Sequence, residues 1–347
     1  MASKIVSLHA NWLRYMKPNI AFVTGGYSGE SVVSYKSAVT IENNIDRDKY
    51  NVYTIDITTD GWFCELDKKR IPVDKNDFSV SYNGNIIKFD AVLIGIHGTP
   101  GEDGKLQGYF DILSLPYTSC DAATSALTFN KRYTVAVAAF AGIKVAKSVH
   151  LFRENPLSPQ YILSQLRLPV FVKPNNGGSS IGMSRVATPE DLAPALEKAF
   201  TEDDQVLVEE FIKGREFTVG VFKAGKEIIV LPITEVISKK DFFDYEAKYT
   251  AGMSTEITPA EIPEVMAEKV RQNAEKVYRL FNCRGIVRMD FIYNPEEEAP
   301  YLLEINTVPG QSEASIVPQQ VKAFNWTLKA FYAALIDEAL SRRNTVR

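Results

Sequence analysis

Two glycine-rich loops, each closing a short apolar run, constrain this chain more than any other feature. The run "NIAFVTGG" (19–26) ends in two glycines. "FDAVLIGIHG" (89–98) leads into "HGTPGEDGKLQG" (97–108), where Gly98, Gly101, Gly104 and Gly108 surround one histidine, one glutamate and one aspartate. Four glycines in twelve positions weaken any regular element, because glycine loses the most backbone freedom on folding. The second run is nearly all apolar and reads as a strand buried on both faces. A helical stretch at about 31–45 and a further strand, "YNVYTIDIT", lie between the two runs. Strands alternating with helices predict a parallel α/β sheet up to about residue 120. In such sheets ligands bind beyond the carboxyl ends of the strands. Both "GGYSGE" (25–30) and the 97–108 loop sit at such ends.

At 347 residues the chain is too long for one core, so two or three domains are expected. Its net charge of -4 gives no reason to expect a nucleic acid or an anionic membrane as partner. Cys64, Cys120 and Cys283 are far apart and form no C-x-x-C, which argues against a disulfide framework or a zinc knuckle and fits a reducing, cytoplasmic compartment. No apolar run approaches the roughly 18 residues needed to cross a bilayer. "MASKIVSLHANWLRY" lacks the apolar core and cleavage site of a signal peptide; Met16 looks like a natural start, and residues 1–17 read as an extension.

Beyond residue 120, "SALTFNKRYTVAVAAFAG" reads as a helix, "LPVFVKPNNGGSSIGMSRV" as strand, glycine loop and strand, and "QVLVEEFIKGREFTVGVF" as strand, short link and strand. "KEIIVLPITEVI" reads as one long strand. Residues 238–258 are polar and aperiodic. A helix over about 260–281 carries Met266, Val270, Ala274, Val277 and Phe281 on one stripe. "GIVRMDFIYN" and "YLLEINTVPG" close the chain as a strand pair. These breaks divide the chain at about 18–120, 121–212 and 213–347.

Three stretches carry chemistry. "KPNNGGSSIGM" (173–183) offers backbone N–H groups, Ser179, Ser180 and Lys173, which suit a phosphate cradle or, more plainly, a hairpin turn; it is not a P-loop. "VEEFIKGRE" (208–216) is either a solvated charged link or a nucleotide site, with Glu216 accepting from ribose hydroxyls and the link's backbone reading adenine. The sharpest is 288–310. Asp290 and Glu304 fall on adjacent strands, and period two puts Asn306 on the same face as Glu304. Two carboxylates and an amide oxygen suit Mg²⁺ shared with phosphates. A lone charge such as Asp290, inside an otherwise apolar run, needs a partner.

With these residues in view the chain resembles D-alanine–D-alanine ligases of the ATP-grasp superfamily. "HGTPGEDGKLQG" is similar to the family's first signature, and "GIVRMDFI" with "LLEINTVPG" to its second. "FVKPNNGGSSIGMS" and "DYEAKY" resemble its phosphate loop and mobile lid. The likeness covers nearly all of 18–340, in family order. It implies an α/β fold: an N-terminal parallel-sheet preATP-grasp domain, then two ATP-grasp subdomains of α+β character with a lid at 238–258. It implies ATP-dependent ligation of two D-alanines through an acyl phosphate for peptidoglycan precursor synthesis, with two Mg²⁺ or Mn²⁺ ions per site and a homodimeric assembly. Phosphoryl transfer of this kind needs positioning and charge neutralisation.

The resemblance also implies residue roles. Asp290, Glu304 and Asn306 would hold the metal ions. Lys131, Lys173 and Ser180 would meet the nucleotide phosphates. Glu209, Glu210, Glu216 and the backbone of Phe211 and Ile212 would bind adenosine. Arg288 and the Gly310 N–H would stabilise the oxyanion. Glu30 would bind the first D-alanine's ammonium and link through Ser179 to Tyr249. Ser315, assigned by spacing, would serve the second substrate with Ile316 and Lys248. His97 would orient the first substrate or move a proton, while Glu102 and Asp103 cap the turn and the helix from Gly104. His9 and His150 read as structural or surface residues. The lid holds Tyr249 and no histidine, so nothing in it selects against an amine acceptor in favour of D-lactate. The rival readings are a grasp ligase joining another acid and amine, and a nucleotide-binding regulator that has lost chemistry.

Overall fold

The computed structural model describes residues 17–176, 181–238 and 254–342. The chain opens with β1 (Asn19–Gly25), α1 (Ser31–Asn44) and β2 (Asn51–Thr58). It continues through β3 (Gly61–Leu66), β4 (Lys69–Asp74), β5 (Ser79–Tyr82) and β6 (Asn85–Ile87) to β7 (Ala91–Ile94) and α2 (Lys105–Ile112). One sheet contains all seven strands in the order β6-β5-β4-β3-β2-β1-β7. β1 runs parallel to both β2 and β7, and every residue of β7 is buried, as its unbroken apolar run requires.

The expected parallel strands form one part of the first sheet, β2-β1-β7, and a meander extends it. β3 to β6 form an antiparallel meander. Two of its turns have positive φ at consecutive residues, Asp67–Lys68 (48° and 61°) and Asn83–Gly84 (50° and 77°). That is the backbone pattern of tight hairpin turns, whose twist matches the flanking strands. Asn83–Gly84 is the usual sequence sign of such a turn; Asp67–Lys68 is not.

The middle of the chain runs α3 (Ala122–Phe129), α4 (Lys131–Phe140), β8 (Ser148–Phe152), α5 (Pro159–Gln165), β9 (Val170–Pro174), β10 (Ser184–Val186), α6 (Leu192–Glu202) and β11 (Gln205–Glu210). Its antiparallel sheet has the order β10-β9-β11-β8. The single helix expected over "SALTFNKRYTVAVAAFAG" is two helices, broken at Asn130, which is extended (φ -94°, ψ 106°) and whose side chain accepts the Tyr133 N–H. A capping side chain competes with helical continuation, so asparagine ends one helix and starts the next.

The last part runs β12 (Arg215–Ala224), β13 (Glu227–Val230), β14 (Thr234–Ser238), β15 (Ser254–Ile257), α7 (Glu264–Leu280), β16 (Val287–Asn294), β17 (Ala299–Asn306), α8 (Ile316–Ala323) and α9 (Leu328–Arg342). β15-β14-β12-β16-β17 form the third sheet, with β13 paired to β12. The long strand expected at 227–238 is interrupted at Pro232, which has no N–H for the ladder. Val270, Ala274 and Val277 of α7 pack on Phe217, Val219 and Phe291 in one core. All three cysteines are buried and free. No helix among the described residues is long and apolar enough to cross a membrane.

The final helix belongs to the first sheet as much as to the third. Phe331, Tyr332, Leu335 and Ile336 of α9 share a core with Ile20 and Phe22 of β1, Ile41 of α1 and Phe222 of β12. Phe331 is fully buried and meets the Phe222 ring edge-on, 5.1 Å between centroids. Phe331→Ala is therefore expected to destabilise the protein by about 3–5 kcal/mol. A urea titration followed by tryptophan fluorescence checks this; a loss below about 1 kcal/mol would mean that α9 is not integral to the core.

Candidate functional site

A cleft of about 290 Å³ opens where the three sheets meet. Its floor is the β16–β17 pair. Asp290 stands opposite Glu304 and Arg288 opposite Asn306, with a bulge between Asp290 and Phe291. Arg288 donates to both Asp290 oxygens, Nε to Oδ1 at 3.1 Å and Nη2 to Oδ2 at 2.9 Å, and reaches Glu304 Oε1 at 3.4 Å. From β12, the Thr218 hydroxyl donates to Asp290 Oδ1 at 2.8 Å. Burial and the neighbouring Glu304 push the Asp290 carboxyl up while Arg288 pulls it down. The Arg288 guanidinium is held firmly charged: burial works against it, but Asp290 and Glu304 more than offset that. A buried Asp290 and a half-buried Glu304 beside one guanidinium leave room for further positive charge.

One wall is the loop after β7. His97 is 5% exposed, takes the Ser34 hydroxyl as acceptor for its N–H, and lies 3.0 Å through Nε2 from Ser37 Oγ. The Gln311 N–H donates to the same Ser37 oxygen at 3.0 Å. Burial lowers the His97 pKa to about 4, opposed by the Val308 backbone and reinforced by Arg288. The ring is neutral at physiological pH. Gly98 has φ 68°, and a Cβ there would come within 2.5 Å of both Glu30 Oε2 and Ser28 Oγ, so glycine alone lets the loop approach Glu30.

Glu102 turns back into this loop and accepts the Gly98 N–H at 2.5 Å, while Asp103 accepts the Lys105 N–H at the start of α2. Burial first, and then Glu30, raise the Glu102 pKa to about 8 against the opposing Gly98 and Val308 backbone and Arg288.

The opposite wall carries Lys131, and Lys173 lies near it without lining the cleft. Lys131 is the first residue of α4 and lines the cleft with Glu216 and Glu30. Lys173 Nζ bonds Glu209 Oε2 at 2.6 Å across β9 and β11. Burial opposes its charge, yet Glu209, Glu304 and Glu216 keep its pKa raised. Gly310, Ser315 and Ile316 line the far end, where Ser315 Oγ meets Ser312 Oγ at 2.7 Å.

The fold thus gathers Glu30, His97, Lys131, Glu216, Arg288 and Asp290 into one cleft, together with Glu304, Asn306, Gly310 and Ser315. Glu210 instead accepts the Arg167 N–H, and the Phe211 N–H is spent on Pro169 O, both at one end of the paired central strands β9 and β11. Ile212 follows in the link to β12. Ser179, Ser180, Lys248 and Tyr249, and most of the 238–258 lid, lie outside the described residues. The sequence reading missed Thr218, Ser37, Gln311 and Glu256. Glu256 lines the cleft and accepts Gln319 Nε2 at 3.1 Å. Among the described residues no three His, Cys, Asp or Glu side chains form a metal cluster; the candidate set is two carboxylates and the Asn306 amide, whose Oδ1 also accepts the Val308 N–H.

The Glu102 shift has a measurable consequence. From its ordinary 4.5 to about 8 the folded protein holds a proton that the unfolded chain has released, so stability falls as pH rises through that window and is level above it. Glu102→Gln removes the slope. Relative to wild type, the variant should gain up to about 1.4 kcal/mol per pH unit across the window. Urea midpoints at pH 5, 6, 7 and 8 check this; a difference that does not change with pH would show Glu102 to be ionised throughout.

Comparison with known proteins adds to the geometry. Residues 19–120 match the D-ala D-ala ligase N-terminus family model, and residues 130–337 match the D-ala D-ala ligase C-terminus model. A D-alanine--D-alanine ligase of Parabacteroides distasonis is 44% identical over 95% of this chain and 100% of its own length. One from Phocaeicola vulgatus is 46% identical over 93% and 99%. Among solved structures, the VanG D-Ala:D-Ser ligase of Enterococcus faecalis is similar with a TM-score of 0.84 at 31% identity, covering 93% of this chain and 100% of that one.

Proposed function

The chain belongs to the D-alanine–D-alanine ligase family, and on that premise we propose that its cleft joins two D-alanines with ATP as co-substrate. It is an ADP-forming ligase that makes a cell wall precursor. The observation that carries the catalytic reading is the Arg288–Asp290–Glu304 arrangement, with Asp290 buried and the other two half-buried. It stands opposite Lys131 and faces the His97 loop within one cleft.

The finer roles follow from the physics of each group. The reaction is ATP + 2 D-alanine → D-alanyl-D-alanine + ADP + phosphate. The first carboxylate attacks the γ-phosphorus, the bond to the ADP oxygen breaks, and an acyl phosphate results. Lys131 and Lys173 offset charge on the phosphates, Lys173 being kept cationic by Glu209. Asp290, Glu304 and Asn306 are hard oxygen donors that fit two Mg²⁺ or Mn²⁺ ions, and the raised pKa of Asp290 beside Glu304 marks a site short of positive charge. Divalent cations held there supply charge neutralisation to the phosphate oxygens.

Glu30 binds the first ammonium, and the neutral His97 beside it adds no positive charge to compete. The second amine attacks the acyl carbon and phosphate leaves; Arg288 and the Gly310 N–H stabilise the oxyanion. Ser315 and Ile316 face the second substrate, joined by Lys248, while Ser179 and Tyr249 complete the line from Glu30. Glu209, Glu216, the Phe211 carbonyl and the Ile212 backbone receive adenosine, with Ser180 at the phosphates, while Glu210 steadies the link through the Arg167 N–H. In this reading residues 18–120 carry the first substrate, 121–212 and 213–347 grip the nucleotide, 238–258 close over it, and two chains form a homodimer.

Two measurements test the proposal. ADP release with D-alanine alone should be matched by dipeptide on mass spectrometry, and with equal D-alanine and D-lactate the dipeptide should dominate from about pH 6 to pH 9, since the lid has no histidine to become cationic near pH 6.5. Mostly ester at any pH in that range would move the chain to a depsipeptide-forming activity. Loss of an outer partner of a metal ligand already costs 10–100-fold, so Glu304→Gln should lower ADP release by at least about 100-fold at unchanged Tm. Near-wild-type turnover would remove Glu304 from the metal site.

A further inference from the structure

We propose that Asn175 is a positioning residue for the nucleotide: from the end of β9 it holds the first turn of α4 so that Lys131 stays in register with Lys173. The inference rests on the reading of Lys131 and Lys173 as phosphate ligands, and it assigns a role to a residue that touches no substrate.

The first turn of a helix leaves four N–H groups without intrahelical partners. In α4 three of them find acceptors outside the helical ladder, which itself starts at Thr134. Thr134 N–H makes the first helical bond, to Asn130 O at 3.0 Å. Tyr133 N–H goes to the Asn130 side chain at 3.1 Å. The Lys131 and Arg132 N–H groups leave the helix altogether. Lys131 donates to the Asn175 carbonyl at 3.1 Å, and Arg132 to Asn175 Oδ1 at 2.9 Å. The helix is therefore capped twice, once by its own Asn130 and once from the end of a strand 43 residues beyond Arg132.

Asn175 is itself immobilised. It is fully buried, and its own N–H donates to Gln205 O at 2.9 Å. It directly follows Pro174, which ends β9, and Pro174 pairs with Val206 of β11. Lys173, two residues earlier, pairs with Leu207 in the same ladder. One asparagine thus links the backbone that carries Lys173 to the backbone that carries Lys131. A side chain at the first helical position takes its direction from that first turn, and a misplacement of about 1 Å in a positioning group can cost about 100-fold in rate. Without the Asn175 bonds the start of α4 is free to fray, and Lys131 loses its fixed distance from Lys173. A cap with no bearing on the nucleotide would affect stability alone.

The test is calorimetric titration of a non-hydrolysable ATP analogue, with Mg²⁺, into wild type, Asn175→Ala, Lys131→Ala, the double variant and Asn175→Asp. Loss of one cap bond predicts that Asn175→Ala weakens binding about five- to tenfold. If Asn175 acts through Lys131, the double variant binds within about twofold of Lys131→Ala alone. Asn175→Asp keeps an acceptor for the Arg132 N–H and should bind within about threefold of wild type. It carries the test if the alanine variant fails to fold, because a loss beyond tenfold at unchanged Tm would overturn the proposal. Wild-type affinity in Asn175→Ala alongside weakened Lys131→Ala would overturn it too, as would strictly additive losses in the double variant. Wild-type affinity in Lys131→Ala would overturn instead the assignment of Lys131 to the phosphates.

Discussion

An excess of negative charge at the β16–β17 pair, buried at Asp290, is the constraint on which the rest of the cleft depends. Asp290 is 7% exposed and has Glu304 as its cross-strand neighbour. Carboxylates in such a place are tolerated only with partners, because desolvation otherwise exceeds any gain. Arg288 supplies one partner two residues away on the same strand face, and Thr218 a second from the adjoining strand. The third sheet has to be antiparallel at this point for all four groups to converge, and its register gives that directly: Thr218 opposite Asp290, and Asp290 opposite Glu304. Behind it, Gln320 of α8 donates to Thr218 O and Thr234 Oγ1 and accepts the Gly220 N–H. The polar floor is thereby fixed from its far side as well.

The His97 wall and the far end of the cleft are tied together by hydrogen bonds between residues distant in sequence. Tyr332 of α9 donates to the Gln311 side chain, the Gln311 N–H donates to Ser37 of α1, and Ser37 meets His97. This explains why the last helix packs on the first sheet. α9 does more than fill a hydrophobic face: through Gln311 it sets the turn after β17 against the loop after β7. Residues 311, 37 and 97 have no common sequence neighbourhood, and only the shared core of β1, α1 and α9 brings them together.

The parts of this arrangement that were legible in sequence are those with local signs. β1, β7 and the β16–β17 pair followed from apolar runs, and Asp290, Glu304 and Asn306 from strand periodicity and the cost of a charge in an apolar strand. The glycine loops followed from composition. What escaped was decided by contacts at long range or by turns without a signature. The meander β3–β6 depends on a hairpin at Asp67–Lys68, a pair with no special preference for positive φ. The break at Asn130 depends on Asn175 offering acceptors to the next two N–H groups, which no helical pattern over 122–142 contains. Ser37 and Gln311 carry no motif, and their importance appears only once α1 and α9 are packed.

The environment of Glu30 follows from these same contacts. Three titratable groups crowd it: His97, Glu102 and, beyond them, Arg288. Burial removes charge from the first two, taking His97 down to about 4 and Glu102 up to about 8. Near neutral pH this leaves Glu30 as the acid of the loop, faced by an uncharged imidazole and an uncharged carboxyl. A cationic His97 would compete with any ammonium for Glu30, and an ionised Glu102 would repel Glu30 across the Gly98 turn. The glycine at 98 permits the close approach, burial neutralises the neighbours, and the Arg288 charge stays committed to Asp290 and Glu304. Glu30 is then faced by neutral neighbours, while the excess negative charge of the cleft is confined to its floor at Asp290 and Glu304.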